Sequence, residues 1–226
     1  MRDTPETKNS PGMLLRRFLS YFSMSWLVLV FDFYQTLRRW LVSQQPKGIY
    51  EILEYDATLE LLDNTGHTAI FHKLQKVRFL QNNLIAFEDY AWGAGEIFHA
   101  YSVAPGKAVD FYQEGDRSNV LISLRETKHS GDVEDFRIDR TVIDGFTNAE
   151  EWQQVEIRHY THKVTIGVIF PQDRRCRHAQ ILQRSRKQAT DLGPEHFHDL
   201  PDGRQLVSWE TQKVHPLEIF TLRWQW

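Results

Sequence analysis

Cysteine is almost missing from this chain. Cys176 is the only one in 226 residues, so no intrachain disulfide can form and stability has to come from a core. An excess of one charge is missing too. Lys and Arg number 27 against 30 Asp and Glu, the net charge is −3 and the isoelectric point is near 6.4. That balance argues against a globally basic nucleic-acid binder. Several chemical signatures are absent as well. There is no Gly-x-Ser-x-Gly elbow and no His-Glu-x-x-His. Gly93-Ala94-Gly95 lacks the third glycine and the strand-to-helix setting of a dinucleotide loop, so it reads as a turn. No internal repeat or low-complexity tract occurs. What is present is ordinary globular composition, 41% hydrophobic and 25% charged, which excludes a disordered or collagen-like chain. A chain this long buries a large core as a single domain.

Residues 1–12 are polar and carry Asp3 and Glu6, unlike the basic start of a signal peptide, and read as a disordered tail. The apolar stretch beyond lacks a small-residue cleavage site and reads as retained. Residues 13–45 are expected to hold a basic-flanked apolar helix. Its centre, Phe18 to Leu37, contains no Gly or Pro, and Pro46 and Gly48 stop it. Twenty helical residues span about 30 Å, one hydrocarbon thickness. Against a clean span, Asp32 costs about 2.5–3.5 kcal/mol at mid-membrane. Ser25, Asp32, Gln35 and Arg39 form a polar stripe at helical spacing. The stripe suits a helix in the membrane interface, with Trp26, Leu29 and Phe33 toward lipid and Arg16, Arg17, Arg38 and Arg39 on anionic headgroups. It suits equally a helix lying across a sheet, or one that joins two copies.

From residue 46 onward the pattern is β. Runs at Ile49–Leu62 and His67–Leu80 flank Asn64-Thr65-Gly66 and read as a hairpin, the first run alternating only partially. Further strands are expected at Leu84–Phe87, Glu96–Val103, Ala108–Tyr112, Asn119–Arg125, Val133–Ile143, Val155–Tyr160, Val164–Phe170, Gln205–Trp209 and Glu218–Trp226. Gly, Pro or Asp separates most of them. Alternation is cleanest in Phe136 to Val142 and Phe220 to Trp226. The expected fold is therefore mainly β, an antiparallel β-sandwich or partly open barrel preceded by one long helix. The apolar C-terminus should be tied into a sheet. Pro171 to Thr190 breaks the rhythm and reads as a helix or a long ordered loop.

Candidate chemistry is sparse. His196-Phe197-His198-Asp199 and His159-Tyr160-Thr161-His162 bring imidazoles near each other, but one such cluster without cysteines reads as solvated loop, so neither metal nor cofactor is expected. Cys176 lies between Arg175 and Arg177, whose charges would favour thiolate. The carboxylates Glu88-Asp89, Asp132, Glu134-Asp135 and Asp139 could supply a glycosidase pair, but spacing selects none. Arg174, Arg175, Arg177, Arg184, Arg186 and Lys187 form a basic stretch without interleaved aromatics, which fits an anionic membrane better than nucleic acid. Seven Trp, eight Tyr and fourteen Phe would build a core or line an apolar ligand cavity.

The expectation is a non-enzymatic binding or sensor module at a membrane surface, cytoplasmic and held peripherally or by one helix. It would recognise a lipid, an apolar ligand or a partner protein. By layout alone it would suit a bacterial stress or antiphage-defence component. The rivals are a soluble protein-interaction module whose helix covers its own sheet, and a hydrolase with dispersed catalytic residues. Oligomeric state and strand order are not set by the sequence.

Overall fold

The computed structural model describes residues 48–226. The tail 1–12, the helix expected over 13–45 and its membrane contacts at Arg16, Arg17, Trp26, Leu29, Phe33, Arg38 and Arg39 lie outside the described residues.

The described residues form fourteen strands and a single 3-10 turn. β1 is Tyr50–Leu61, β2 Thr68–Phe79, β3 Leu84–Ala91, β4 Glu96–Ala104 and β5 Lys107–Glu114. β6 is Arg117–Lys128, β7 Val133–Ile143, β8 Glu150–Ile157, β9 Thr161–Phe170 and β10 His178–Gln183. β11 is Gln188–Asp191, the 3-10 turn Pro194–His196, β12 Phe197–Asp199, β13 Gln205–Val214 and β14 Glu218–Gln225. They make a seven-stranded sheet in the order β12-β13-β9-β1-β2-β7-β4, a four-stranded sheet β11-β10-β14-β8 and a three-stranded sheet β3-β6-β5. The mainly β sandwich is as expected. One detail differs: β1 and β9 pair in parallel, so the large sheet is mixed.

Periodicity explains the core. On β2, Ala69, Phe71, Lys73, Val77 and Phe79 are buried, two residues apart or multiples of two. On β1 the phase changes midway, because the pairing slips between Ile52 and Glu54 and leaves Leu53 as an extra residue. Ile52 is buried before the bulge and Tyr55, Ala57, Leu59 and Leu61 after it. That bulge is why the alternation in this run is only partial. The two smaller sheets cover the inner face of the large one. Phe87 of β3 stacks on Phe136 of β7 at 4.2 Å, and Trp209 of β13 lies 5.1 Å from Phe220 of β14. Gln153 Nε2 of β8 donates to the Ala57 carbonyl of β1.

β14 runs between β10 and β8, and the Trp226 indole donates to the Asn148 carbonyl at 2.8 Å. The apolar C-terminus is thus tied in. Within Pro171 to Thr190, residues 171–177 are turn and loop, and the remainder is not helix. It is the β10–β11 hairpin, whose strands the flanking arginines disguise in the sequence. β8 begins at Glu150, five residues before the expected start. Polar Glu151 and Gln153 occupy its inward positions and interrupt the apolar alternation.

Candidate functional site

Three charged side chains cluster on inward-facing positions of β2, β3 and β7. Asp89 follows Phe87 on β3, Lys73 follows Phe71 on β2, and Arg140 follows Ile138 on β7, each in the apolar phase of its strand. Strand pleat alone turns these side chains into the sandwich. Lys73 Nζ meets Asp89 Oδ1 at 2.5 Å, with the side chains 4% and 1% exposed. Tyr101 Oη donates to Asp89 Oδ2 at 3.1 Å, and the Tyr90 carbonyl accepts from Lys73 at 3.4 Å. The Arg140 guanidinium lies on the Phe71 ring at 4.1 Å and stands 6.0 Å from the centre of the Phe98 ring.

The protonation of this cluster follows from burial. Removal from water pushes Tyr55, Tyr90 and Tyr101 above the ordinary phenol range, and the Asp89 charge adds to the rise. All three stay neutral at physiological pH, and Tyr90 and Tyr101 act as donors. Burial also draws Arg140 below the ordinary guanidinium value, opposed by the attraction of Asp89.

A recess opens beside the cluster, with Leu59, Phe71, Arg140 and Val142 as its floor. Glu151 to Gln154 of β8 form one wall. Trp92, Gly93 and Ala94 from the β3–β4 connection, Ile97 of β4, and Gly145 and Phe146 from the β7–β8 connection form the roof. Its inner volume is about 80 Å³, and Trp152 stands 46% exposed at the rim. The two roof segments approach so closely that a Cβ on Gly95 would lie 2.2 Å from the Ile143 carbonyl, and its φ is +74°. A smaller recess adjoins it, lined by Tyr55, Lys73, Tyr90, Trp92, Arg140, Gln154 and Glu156. Glu156 is held there by Arg117 at 2.8 Å, with Arg158 stacked on Tyr90 at 3.7 Å.

Most of the residues singled out from the sequence as candidate chemistry lie elsewhere. The basic stretch is split: Arg174, Arg175 and Arg177 precede β10, and Arg184, Arg186 and Lys187 form the turn after it. Six strand residues put about 20 Å between the two groups. Arg174 is spent on the Trp226 ring and the Asn64 carbonyl, and Arg175 on Asp199. Cys176 corrects its expectation. The thiol is buried and its pKa is pushed up to about 11, the reverse of what flanking arginines suggested. Arg175 and Arg177 are exposed on either side of it.

His196 Nδ1 donates to the Ser208 carbonyl at 2.9 Å and His198 is exposed. His159 lies tilted against the Tyr50 ring at 4.1 Å while His162 meets Glu51. Among the described residues no three His, Cys, Asp or Glu side chains converge as metal ligands would. Of the carboxylates, Asp132 caps the His129 amide, Glu134 meets Lys128 and Glu88 accepts from Tyr112. Asp139 meets His72 on the outer face, where His72 also reaches Glu60. Only Asp89 enters the candidate site. Lys73, Tyr101, Arg140 and Gln153 were missed. The signal for Lys73, Arg140 and Gln153 was a charge or amide standing in an apolar strand phase, with Arg140 inside the run that alternates most cleanly.

No protein-family model matches the chain, and no curated protein sequence matches it significantly. Among solved structures it is similar to an M1 zinc metallopeptidase from Deinococcus radiodurans. A mutant form gives 11% identity and a TM-score of 0.47 over 78% of this chain and 43% of that one. The enzyme without that mutation gives 11% identity and 0.45, over 78% and 42%. This chain therefore spans less than half the length of those proteins, and an overlap this loose carries nothing about shared chemistry. Among the described residues no helix is long and apolar enough to cross a membrane.

Proposed function

We propose that the β body is a non-enzymatic ligand-binding module that takes a small, largely apolar ligand into the recess between its sheets. The observation that carries this is the aromatic-walled recess, whose floor presents a buried Arg140. Ligand sites combine apolar walls with a few placed polar groups. Acid–base catalysis has less support. The tyrosines hold their protons, and Asp89 already accepts from Lys73 and Tyr101. The attachment to lipid through Phe18 to Leu37 stays part of the proposal.

The recess is tested by protein-detected NMR with a set of small aromatic fragments. Binding should move the indole N–H resonances of Trp92 and Trp152 and leave that of Trp226 in place. A set that moves neither indole, or moves only Trp226, overturns the reading. Vesicle flotation of the full chain tests attachment: Leu29→Asp should release it from vesicles rich in anionic lipid, and unchanged flotation would refute the role of the helix.

A protein partner is the second reading. It is favoured by Val109 and Phe111, 54% and 53% exposed on β5, which is an edge strand. Phe111→Lys should then abolish any concentration-dependent self-association seen by sedimentation. Persistence of that association would place the interface elsewhere.

A further inference from the structure

Two polar groups of the recess have no partner among the described residues. Nε and Nη1 of Arg140 are shut off from water and reach no acceptor. The ring of Phe71 covers one face of the guanidinium but accepts nothing from its edge. Gln153 is in the complementary position. Its Nε2 donates to the Ala57 carbonyl at 2.9 Å, which fixes the amide's orientation and leaves Oε1 buried with no donor. Unmade hydrogen bonds of this kind cost about 1–3 kcal/mol each, and more when the group is charged. Native folds keep few of them, and a ligand is one reason to keep them. Both residues line the same recess.

Charge decides what would satisfy Arg140. Asp89 is matched by Lys73, and Glu156 by Arg117. Glu151, also in the recess wall, accepts from the Asn148 backbone N–H and side-chain amide. The Lys73, Asp89 and Arg140 group thus carries one net positive charge. A monoanion suits that charge, and it meets less repulsion from Glu151 than a dianionic phosphate would. Arg is matched bidentately by a planar carboxylate. Size points the same way. An inner volume of about 80 Å³ is roughly half the cavity that takes a benzene ring in an engineered lysozyme. It admits a carboxylate and its neighbouring carbon and leaves a ring outside, among Trp92, Phe146 and Trp152.

We propose that the recess binds a monocarboxylate, its carboxylate on Arg140, a hydroxyl or N–H on the adjacent carbon donating to Gln153 Oε1, and its apolar body under Trp92 and Trp152. This rests on the recess being a ligand site and adds the chemical class of the ligand.

The probes are mandelate, phenylacetate, mandelamide, phenyl phosphate and toluene, titrated into the full chain by calorimetry and indole NMR. Mandelate should bind tightest and phenylacetate about tenfold more weakly, since it lacks the donor. Mandelamide and phenyl phosphate should be weaker again. Gln153→Leu should reduce mandelate to the affinity of phenylacetate and leave phenylacetate unchanged. Arg140→Met should cost both acids tenfold or more, while its melting temperature stays level or rises, because an orphan charge leaves the interior. A merely structural arginine would show the opposite pattern, lower stability with binding kept. Should Arg140→Met fail to fold, Arg140→Lys serves instead: it keeps the charge, loses the fork and should weaken both acids severalfold. Equal binding of mandelate and mandelamide, or unchanged acid binding in the Arg140 variant, overturns the carboxylate assignment. If toluene then still shifts Trp92 and Trp152, the recess remains a ligand site with a different preference. If no probe shifts them, both readings fall.

Discussion

The Lys73–Asp89 pair allows a sharp test, because both partners are nearly sealed from water and each has few substitutes. Asp89→Asn removes the negative charge while keeping the side chain's size. Lys73, 4% exposed, then has a buried ammonium with no counter-charge, and Arg140 loses the anion that attracts it. Breaking a buried pair from one side costs about 3–5 kcal/mol. The amide can still accept from Tyr101, so the hydrogen bond at 3.1 Å adds little to the loss, but the lost attraction of Asp89 for Arg140 places the total toward the upper end. For a chain of this size each kcal/mol lowers the melting temperature by about 2–4 °C, so the midpoint should drop by about 6–20 °C. Urea unfolding followed by tryptophan fluorescence gives the free energy directly. Adding Lys73→Met to Asp89→Asn removes the stranded ammonium and returns the site to one positive charge, so most of the loss should reverse. A single variant within about 1 kcal/mol of the parent, or a double variant as unstable as the single one, would refute the account of a closed, mutually dependent pair.

Three further outcomes follow from particular residues. Cys176, with its thiol raised to about 11 by burial, should resist a disulfide reagent at pH 8 in the folded protein and react at once in urea; comparable rates would contradict its burial. His159 is held below its ordinary value of 6.5 by burial, with Arg158 adding to the effect, so the unfolded chain takes up the proton first. The stability this contributes is complete above pH 6.5 and is lost as pH falls toward the lower folded value. The urea midpoint should therefore fall more between pH 7.5 and 5.5 in the parent than in His159→Gln, and equal falls would count against it. Gly66 has a φ of +72°, and an added Cβ would lie 1.8 Å from the Phe146 carbonyl. Gly66→Ala should cost about 2 kcal/mol or more, read from the melting midpoint, and a loss below about 0.5 kcal/mol would show that the Phe146 segment yields easily.

The strands that were legible are those whose inward positions are apolar. Val133–Ile143 has the same bounds in the sequence pattern and in the fold. β8 and β10 were not legible in full, for one physical reason: period-2 reading weighs side-chain polarity, and these strands hold Glu151 and Gln153 inward or lie between arginines. The candidate site was hidden by the same rule in reverse. Arg140 and Lys73 stand in the apolar phase of their strands, but a charge there reads as a break in the pattern, and only the covering layer shows that the positions are interior.

Local pattern therefore determined that this chain would be strand-rich, where most turns fall and that its C-terminus would be bound into a sheet, since turn chemistry and side-chain alternation act between neighbours in sequence. Which strands lie side by side, the parallel joining of β1 to β9, and the meeting of Lys73, Asp89, Arg140 and Gln153 around one recess were decided by tertiary structure alone. Those contacts join residues far apart along the chain, and they depend on which buried surfaces fit together, a property no short stretch of sequence carries.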